Sequence, residues 1–411
     1  MRITAMREIP FNRTIAFVAL ALVAFALLGS YRSAAVGPDA TTEQIVLGTK
    51  YTIHSEILGD DRSFVVNLPE GYESTQLRYP VLYVLDAEYF YYQAHGALQF
   101  LSESGYNNNR PVPQMILVAV LDGDRNRDFT PTHAPEQGPL RFPTSGGAAA
   151  YLEHVEKELR PSIDANFRTS GSILAGWSLG GLFTFYTFLE KPELFAAYIA
   201  VSPSLWWNNQ EPLGWAGDRI PDGAEFRERL VITQGALEGG GIGSSVKGGI
   251  VPLLEEKEAK GWVYVEIPGV SHNYTPYEAL YAGLQAAFPG FAVPQNELNE
   301  GLAAVKRHYA NVSADYGYTV NVPDDVYAAL VRGWFNSHDP GEILPITSEW
   351  TDTYPRSAVA WYFHGWMHRL SNDLDTARAC FQKAVALEQA RTLPDSEWLN
   401  PMRERLEDVA K

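Results

Sequence analysis

"SILAGWSLGGLFTFY", residues 172–186, joins an apolar run to an aromatic, helix-like one through Gly176, Trp177, Ser178, Leu179, Gly180 and Gly181. A serine hydroxyl is a weak nucleophile at neutral pH and reacts only beside a base that a third group holds in place. Glycines on both sides permit a sharp strand-to-helix turn, which lifts the Ser178 hydroxyl above a sheet and aims the Leu179 N–H at an oxyanion. Alone, Gly-x-Ser-x-Gly is a weak pattern, with a chance match on the order of one in ten in a glycine-rich chain of this length. The flanking segments decide its meaning.

Outward from this turn, the apolar runs "YPVLYVLD" (79–86) and "QMILVAVLD" (114–122) predict strands buried on both faces, with a helix over 88–104 between them. "QIVLGTKYTIHSEI" and "RSFVVNLP" alternate like an opening antiparallel pair. "AAAYLEHVEKELRPSIDANF" reads as a helix, "SILAGW" as a strand, "LGGLFTFYTFLEK" as a helix ending before Pro192, and "FAAYIAVSP" as a strand. "RLVITQGA" (229–236) and "WVYVEIPG" (262–269) are two more strands. The alternation predicts an α/β fold with a mostly parallel sheet wrapped by helices.

The base belongs after the last strand, where His272 follows Gly269 by three residues. The acid belongs after the preceding strand, where "RLVITQGALEGG" offers Glu238; Asp218, Asp222 and Glu255 are fallbacks that fall earlier or on a helix. The order Ser178, Glu238, His272 is that of α/β-hydrolases. A loop serine, a surface glutamate and a helix-capping histidine are each common singly, but three matches at independent, topologically specified places make coincidence a poor explanation. A second oxyanion N–H is expected from Ala87 or Glu88, after the strand that ends at Asp86.

Trp206 and Trp207 are candidates for stacking on an aromatic acyl group, with core or lid packing as the alternative. Arg125 and Arg127 are candidates for clamping an anionic group, with an Arg127–Asp128 loop network as the alternative. "GGGIGSSVKGG" (239–249) lacks the spacing of a nucleotide loop and reads as a mobile flap beside Glu238. His364 and His368 have the spacing of two zinc ligands, but Gly365 replaces the general base of H-E-x-x-H, so packing is expected and no metal.

The formal net charge of −17 and the absence of a Lys/Arg block exclude a nucleic-acid reader. Residues 1–36, with Arg2, Arg7 and Arg13 before "IAFVALALVAFALLG", have the layout of a signal peptide cleaved before Val36, or of an uncleaved N-terminal anchor. Export to the periplasm or beyond follows, and any membrane contact would run through that segment. Cys380, the only cysteine, rules out an intrachain disulfide.

Composition changes near 289–294, which predicts a hydrolase domain over 42–290 and an all-α module over 291–411. In "SAVAWYFHGWMHRLSNDLDTARACFQKAVALEQ" (357–389), Trp361, Gly365, Ala377, Phe381 and Ala384 fit a tetratricopeptide helix pair. An earlier unit over 323–355 has similar length with a degenerate second helix, and both are expected to pack on a helix over 296–310. Such repeats suggest a protein partner.

Through "YPVLYVLD", "RNRDFTP", "LRPSIDANFRT", "GWSLGGL", "SPSLWW" and the terminal histidine, residues 42–290 resemble the esterase D-type α/β-hydrolases, especially the iron-siderophore (enterobactin and salmochelin) esterases. The resemblance implies Ser178 as nucleophile, His272 as general base and Glu238 as orienting acid, in a branch whose acid position varies and where some members use a Ser–His pair. It implies a small-molecule ester substrate and no metal or organic cofactor. A general acyl or aromatic esterase, and a catalytically idle platform whose repeats bind a partner, remain the alternatives.

Overall fold

Tyr79–Val84, Ile116–Val120 and Ala197–Val201 are buried at every position, as strands covered on both faces must be. The computed structural model describes residues 45–103, 110–121, 123–391 and 394–410; the 1–36 segment lies outside them. Residues 47–411 form one compact unit. Its main sheet takes β1 (Thr49–Ser55), β2 (Asp60–Asn67), β3 (Tyr79–Val84), β4 (Ile116–Val120), β7 (Thr169–Trp177), β8 (Ala197–Val201), β9 (Glu225–Gly235) and β10 (Lys260–Ile267). The order is β1-β2-β4-β3-β7-β8-β9-β10. β1 pairs antiparallel with β2, and β2 with β4; every other pairing is parallel. This is the α/β-hydrolase fold, with an all-helical C-terminal region.

Side chains alternate between the two faces of a strand, and β3 divides its residues accordingly. Leu82 and Val84 join one core cluster, Val81 and Tyr83 the other. On the first face lie α1 (Ala87–Glu103), through Phe90, Ala94 and Leu98, and the helix Thr275–Ala287, through Leu280 and Leu284. On the second lie helix 148–166, the helix Leu179–Glu190 and the helix Trp207–Arg219. Helix 148–166 is α-helical at both ends, with a π-helical stretch at Val155–Leu159. A two-residue-per-strand hairpin outside the main sheet, β5 (Glu136–Gln137) with β6 (Leu140–Arg141), was not foreseen.

The stretch expected to be a mobile flap is helical instead: Gly240–Ser245, a π turn at Val246–Ile250, then Val251–Glu256. Val246, Ile250 and Leu254, four apart, are fully buried and supply the packing that overrides the glycines. Likewise the helix expected over 296–310 breaks into Gln295–Glu300 and Leu302–Tyr316. Gly301 between them has φ 99°, and a Cβ there would lie 2.5 Å from the Trp334 ring.

The C-terminal helices extend the first core cluster: Val331, Trp350, Phe363 and Phe381 share it with Leu82 and Val84. Polar links cross the same junction, with the Asn321 amide donating to the Arg78 carbonyl at 3.0 Å and the Arg110 N–H to Asp325 at 3.1 Å. Ala358–Leu370 packs on Leu374–Gln389. A Cβ on Gly365 would stand 2.9 Å from Cys380 Cβ, so glycine sets how closely these two helices approach. Ala377, Phe381 and Ala384 are fully buried beside it. The preceding unit also forms two helices, Asp324–Trp334 and Pro340–Thr353.

Candidate active site

Three adjacent parallel strands, β3, β7 and β8, run into non-glycine residues in the left-handed region: Asp86 (φ 57°), Ser178 (φ 58°) and Ser202 (φ 43°). Such conformations cost on the order of 1–3 kcal/mol each and persist only where surrounding contacts over-determine them. At Ser178 those contacts are backbone bonds. Its N–H donates to the Val201 carbonyl at 3.0 Å, and its carbonyl accepts from Leu182 N–H at 2.9 Å and Ser204 N–H at 3.0 Å.

The glycines of the turn follow from the same crowding. A Cβ at Gly176 would lie 2.3 Å from the Gly180 carbonyl oxygen, at Gly180 2.5 Å from Asp86 Oδ2, and at Gly181 2.8 Å from the Val201 oxygen. Any larger residue would push the elbow off the sheet. Leu179 opens the following helix, so its N–H has no carbonyl four residues back to bond.

His272 follows β10 and meets Ser178 Oγ through Nε2 at 3.1 Å, while its Nδ1 lies 3.3 Å from Glu238 Oε1. A carboxylate only accepts, so Nδ1 carries the proton and the Nε2 lone pair faces the serine hydroxyl. The imidazole rests on the Trp177 indole at a centroid distance of 4.9 Å. Trp177 Nε1 donates to Thr275 Oγ1 at 3.2 Å, and Thr275 donates to the His272 carbonyl at 2.7 Å, which fixes the ring's height over the sheet.

Glu238 turns back after β9, its N–H bonded to the Gly235 carbonyl at 3.0 Å. Its side chain is 1% exposed, and Oε1 accepts a 2.7 Å bond from the Ser202 hydroxyl. Its Oε2 is buried with no hydrogen-bond partner among the described residues. The fallback acids stand apart: Asp222 is 92% exposed beside Lys257, and Asp218 and Glu255 are exposed.

Ala87 is buried and opens α1 directly after Asp86. The fully buried Asp86 carboxylate is gripped by Arg125, which also donates to the Trp177 carbonyl at 3.3 Å. This pair ties the loop after β3 to the elbow after β7. Arg127 turns away from the site: it bonds Asp128 at 2.7 Å and Asp60 at 3.2 Å, within a cluster completed by Arg62. Two of its guanidinium nitrogens are thus engaged in the loop network that the sequence offered as the alternative to an anion clamp, while the side chain stays one third exposed (33%).

The two tryptophans part company. Trp207 is 0% exposed, donates from Nε1 to Thr132 Oγ1 at 3.1 Å and packs on Phe142 at 5.0 Å. As a core side chain it has no face left for a substrate. Trp206 is partly exposed, with its Cβ 3.0 Å from where a Cβ on Gly241 would stand. Leu237 and Tyr274, next to Glu238 and two past His272, are 65% and 73% exposed. In "SPSLWW" the sequence drew attention to the two tryptophans and not to Ser202 and Ser204, whose hydroxyls contact Glu238 and, at 3.3 Å, Ser178 Oγ. Nothing local announces a contact between residues 36 apart.

His364 and His368 face each other at 3.3 Å between Nε2 atoms, with Thr347 and Asp373 at their Nδ1 atoms. Burial pushes the His364 imidazole down to about 4. Among the described residues, no group of three or more His, Cys, Asp or Glu is arranged to hold a metal.

Residues 55–229 match the family model described as Putative esterase. The ferri-bacillibactin esterase BesA of Bacillus subtilis is 32% identical over 148 residues, which cover 32% of this chain and 49% of that protein. The siderophore enterobactin esterase of Emericella nidulans is 34% identical over 121 residues, 27% of this chain and 40% of that protein. The chain thus spans about half the length or less of these curated relatives. Among solved structures, an IroE-like serine hydrolase from Shewanella oneidensis superposes with a TM-score of 0.62 at 26% identity, covering 77% of this chain and 99% of that one.

Proposed function

We propose that this chain, which has the α/β-hydrolase fold and matches the putative esterase model over residues 55–229, hydrolyses carboxylic esters through Ser178, His272 and Glu238. The observation that carries this reading is the row of contacts from Glu238 Oε1 to His272 to Ser178 Oγ, on a serine held at φ 58°. Ser178 Oγ attacks the ester carbonyl as its proton passes to His272 Nε2, and the N–H groups of Leu179 and Ala87 receive the oxyanion. His272 then protonates the departing alcohol. Water, deprotonated by the same imidazole, releases the acid and restores the serine. Glu238 holds the Nδ1 proton throughout.

Siderophore lactones are the finer substrate reading, supported by the activities for which BesA and the enterobactin esterase are named. Trp206 lines the acyl side, and the exposed Leu237 and Tyr274 lie beside the acid and the base. A hydrolysis screen of ferric and iron-free catecholate lactones beside simple aryl esters separates this reading from a general esterase. Export through the 1–36 segment and a protein partner for the tetratricopeptide-like helices complete the proposal. Ser178→Ala should abolish both aryl-ester turnover and fluorophosphonate labelling while the chain stays folded; retained turnover would sink the assignment. A loss below about tenfold in Glu238→Ala would reduce the site to a Ser–His dyad.

A further inference from the structure

We propose that the Ser202 hydroxyl is the positioning group that makes Glu238 the acid of the triad, an inference that rests on the ester-hydrolase reading above. Among the described residues the Glu238 carboxylate receives donors on one oxygen only: Ser202 Oγ at 2.7 Å and His272 Nδ1 at 3.3 Å, while Oε2 is buried without a partner. The histidine contact is the longer of the two and cannot by itself stop the carboxylate from rotating. The short serine bond fixes which oxygen faces the imidazole.

Ser202 is suited to this because its own position is over-determined. Its N–H donates to the Thr233 carbonyl at 2.7 Å, and two residues on, the Ser204 N–H donates to the Ser178 carbonyl at 3.0 Å. Pro203 between them packs 3.0 Å from where a Cβ on Gly181 would stand. The tripeptide therefore registers the acid to the nucleophile through one rigid segment. The acid's own loop offers less, since Gly235, Gly239 and Gly240 surround Glu238.

Backbone strain points the same way. At φ 43° glycine would sit without cost, yet a fully buried serine occupies the position, and its hydroxyl is spent on Glu238. Ser202 touches no reacting atom. It acts through Glu238.

The test compares Ser202→Ala and Ser202→Gly, alone and combined with Glu238→Ala, by kcat and KM on a soluble aryl ester. Fluorophosphonate labelling counts competent sites in each. Glycine at 202 relieves the backbone, which offsets part of the cost of the lost hydroxyl, and a urea melt of each variant reports its fold. We expect both single variants to lower kcat about tenfold with KM within about twofold, with full labelling, and Glu238→Ala to lose at least as much. In the Glu238→Ala background, removing the hydroxyl should cost less than about twofold, because its target is gone. The inference is overturned if Ser202→Gly keeps kcat within about twofold of the parent, or if it loses the same factor with and without Glu238. A parent chain that neither turns over nor labels would overturn the hydrolase reading itself.

Discussion

Replacing Gly180 with alanine should damage catalysis far more than stability. The added Cβ would stand 2.5 Å from Asp86 Oδ2, about 0.9 Å inside the 3.4 Å at which ordinary contact begins. Asp86 cannot yield freely, being fully buried, gripped by Arg125 and held at φ 57°. Overpacking of this kind costs about 1–3 kcal/mol, and alanine returns up to about 1 kcal/mol over glycine inside a helix. The net loss of about 0–3 kcal/mol should lower Tm by at most about 10 °C. Ala87, the next residue and the second oxyanion donor proposed above, moves with Asp86, and displacing one such donor costs on the order of 100-fold or more when complete. A kcat reduced about 10- to 100-fold, at nearly unchanged KM, is the expected result of steady-state assays on an aryl ester. Gly214→Ala is the control: exposed in the helix Trp207–Arg219 with nothing within 4 Å of its Cβ, it should gain stability and keep full activity. If Gly180→Ala retained kcat within about threefold of the parent, the link from Asp86 to the oxyanion hole would be refuted.

The neighbouring tryptophans should separate under mutation. Trp207→Ala empties a fully buried site and should cost about 3–5 kcal/mol by denaturant titration, whereas Trp206→Ala should leave the midpoint nearly unchanged and raise KM for aryl esters. Burial pushes the Asp324 carboxyl up to about 6 from an ordinary 3.8. The folded chain then holds this proton more tightly than the unfolded one, so the contribution is whole below about pH 4 and is lost as pH rises through about 6. Asp324→Asn, which needs no proton, should exceed the parent's stability at pH 8 by on the order of 2–3 kcal/mol. Urea melts at pH 4 and pH 8 check this, and a gap that does not widen with pH refutes it.

Much of this fold was legible because β3, β4 and β8 are apolar at every position, a pattern that few structures other than a doubly covered strand require. The nucleophile turn was legible for a related reason: each glycine beside Ser178 is demanded by a backbone or carboxylate atom within 3 Å of its missing Cβ. The errors arose where local composition and tertiary packing disagreed. Six glycines at 239–249 masked the Val246, Ile250 and Leu254 spacing that makes the segment helical. Adjacent indoles at 206 and 207 carry no local sign of which one Thr132 will bond and the core enclose. Ser202 bonds Glu238 across an intervening helix and strand, a relation that only the sheet order creates. Gly301 looks like an ordinary helix-interior residue until its positive φ shows the axis breaking there.

The three left-handed residues at the ends of β3, β7 and β8 also say something about how such a sequence ages. Glycine would relax the backbone at all three, but at 86 it would strand the Arg125 guanidinium and at 202 the buried Glu238 carboxylate, whereas at 178 it removes only one hydroxyl's contacts. Selection for folding alone therefore has its downhill path at 178. A lineage that no longer needed the chemistry would be free to take it, gaining stability as it lost function. Glycine at 178 with Asp86 and Ser202 kept, in otherwise recognisable descendants, would therefore mark chains that have retired from catalysis before any change in their overall shape could reveal it.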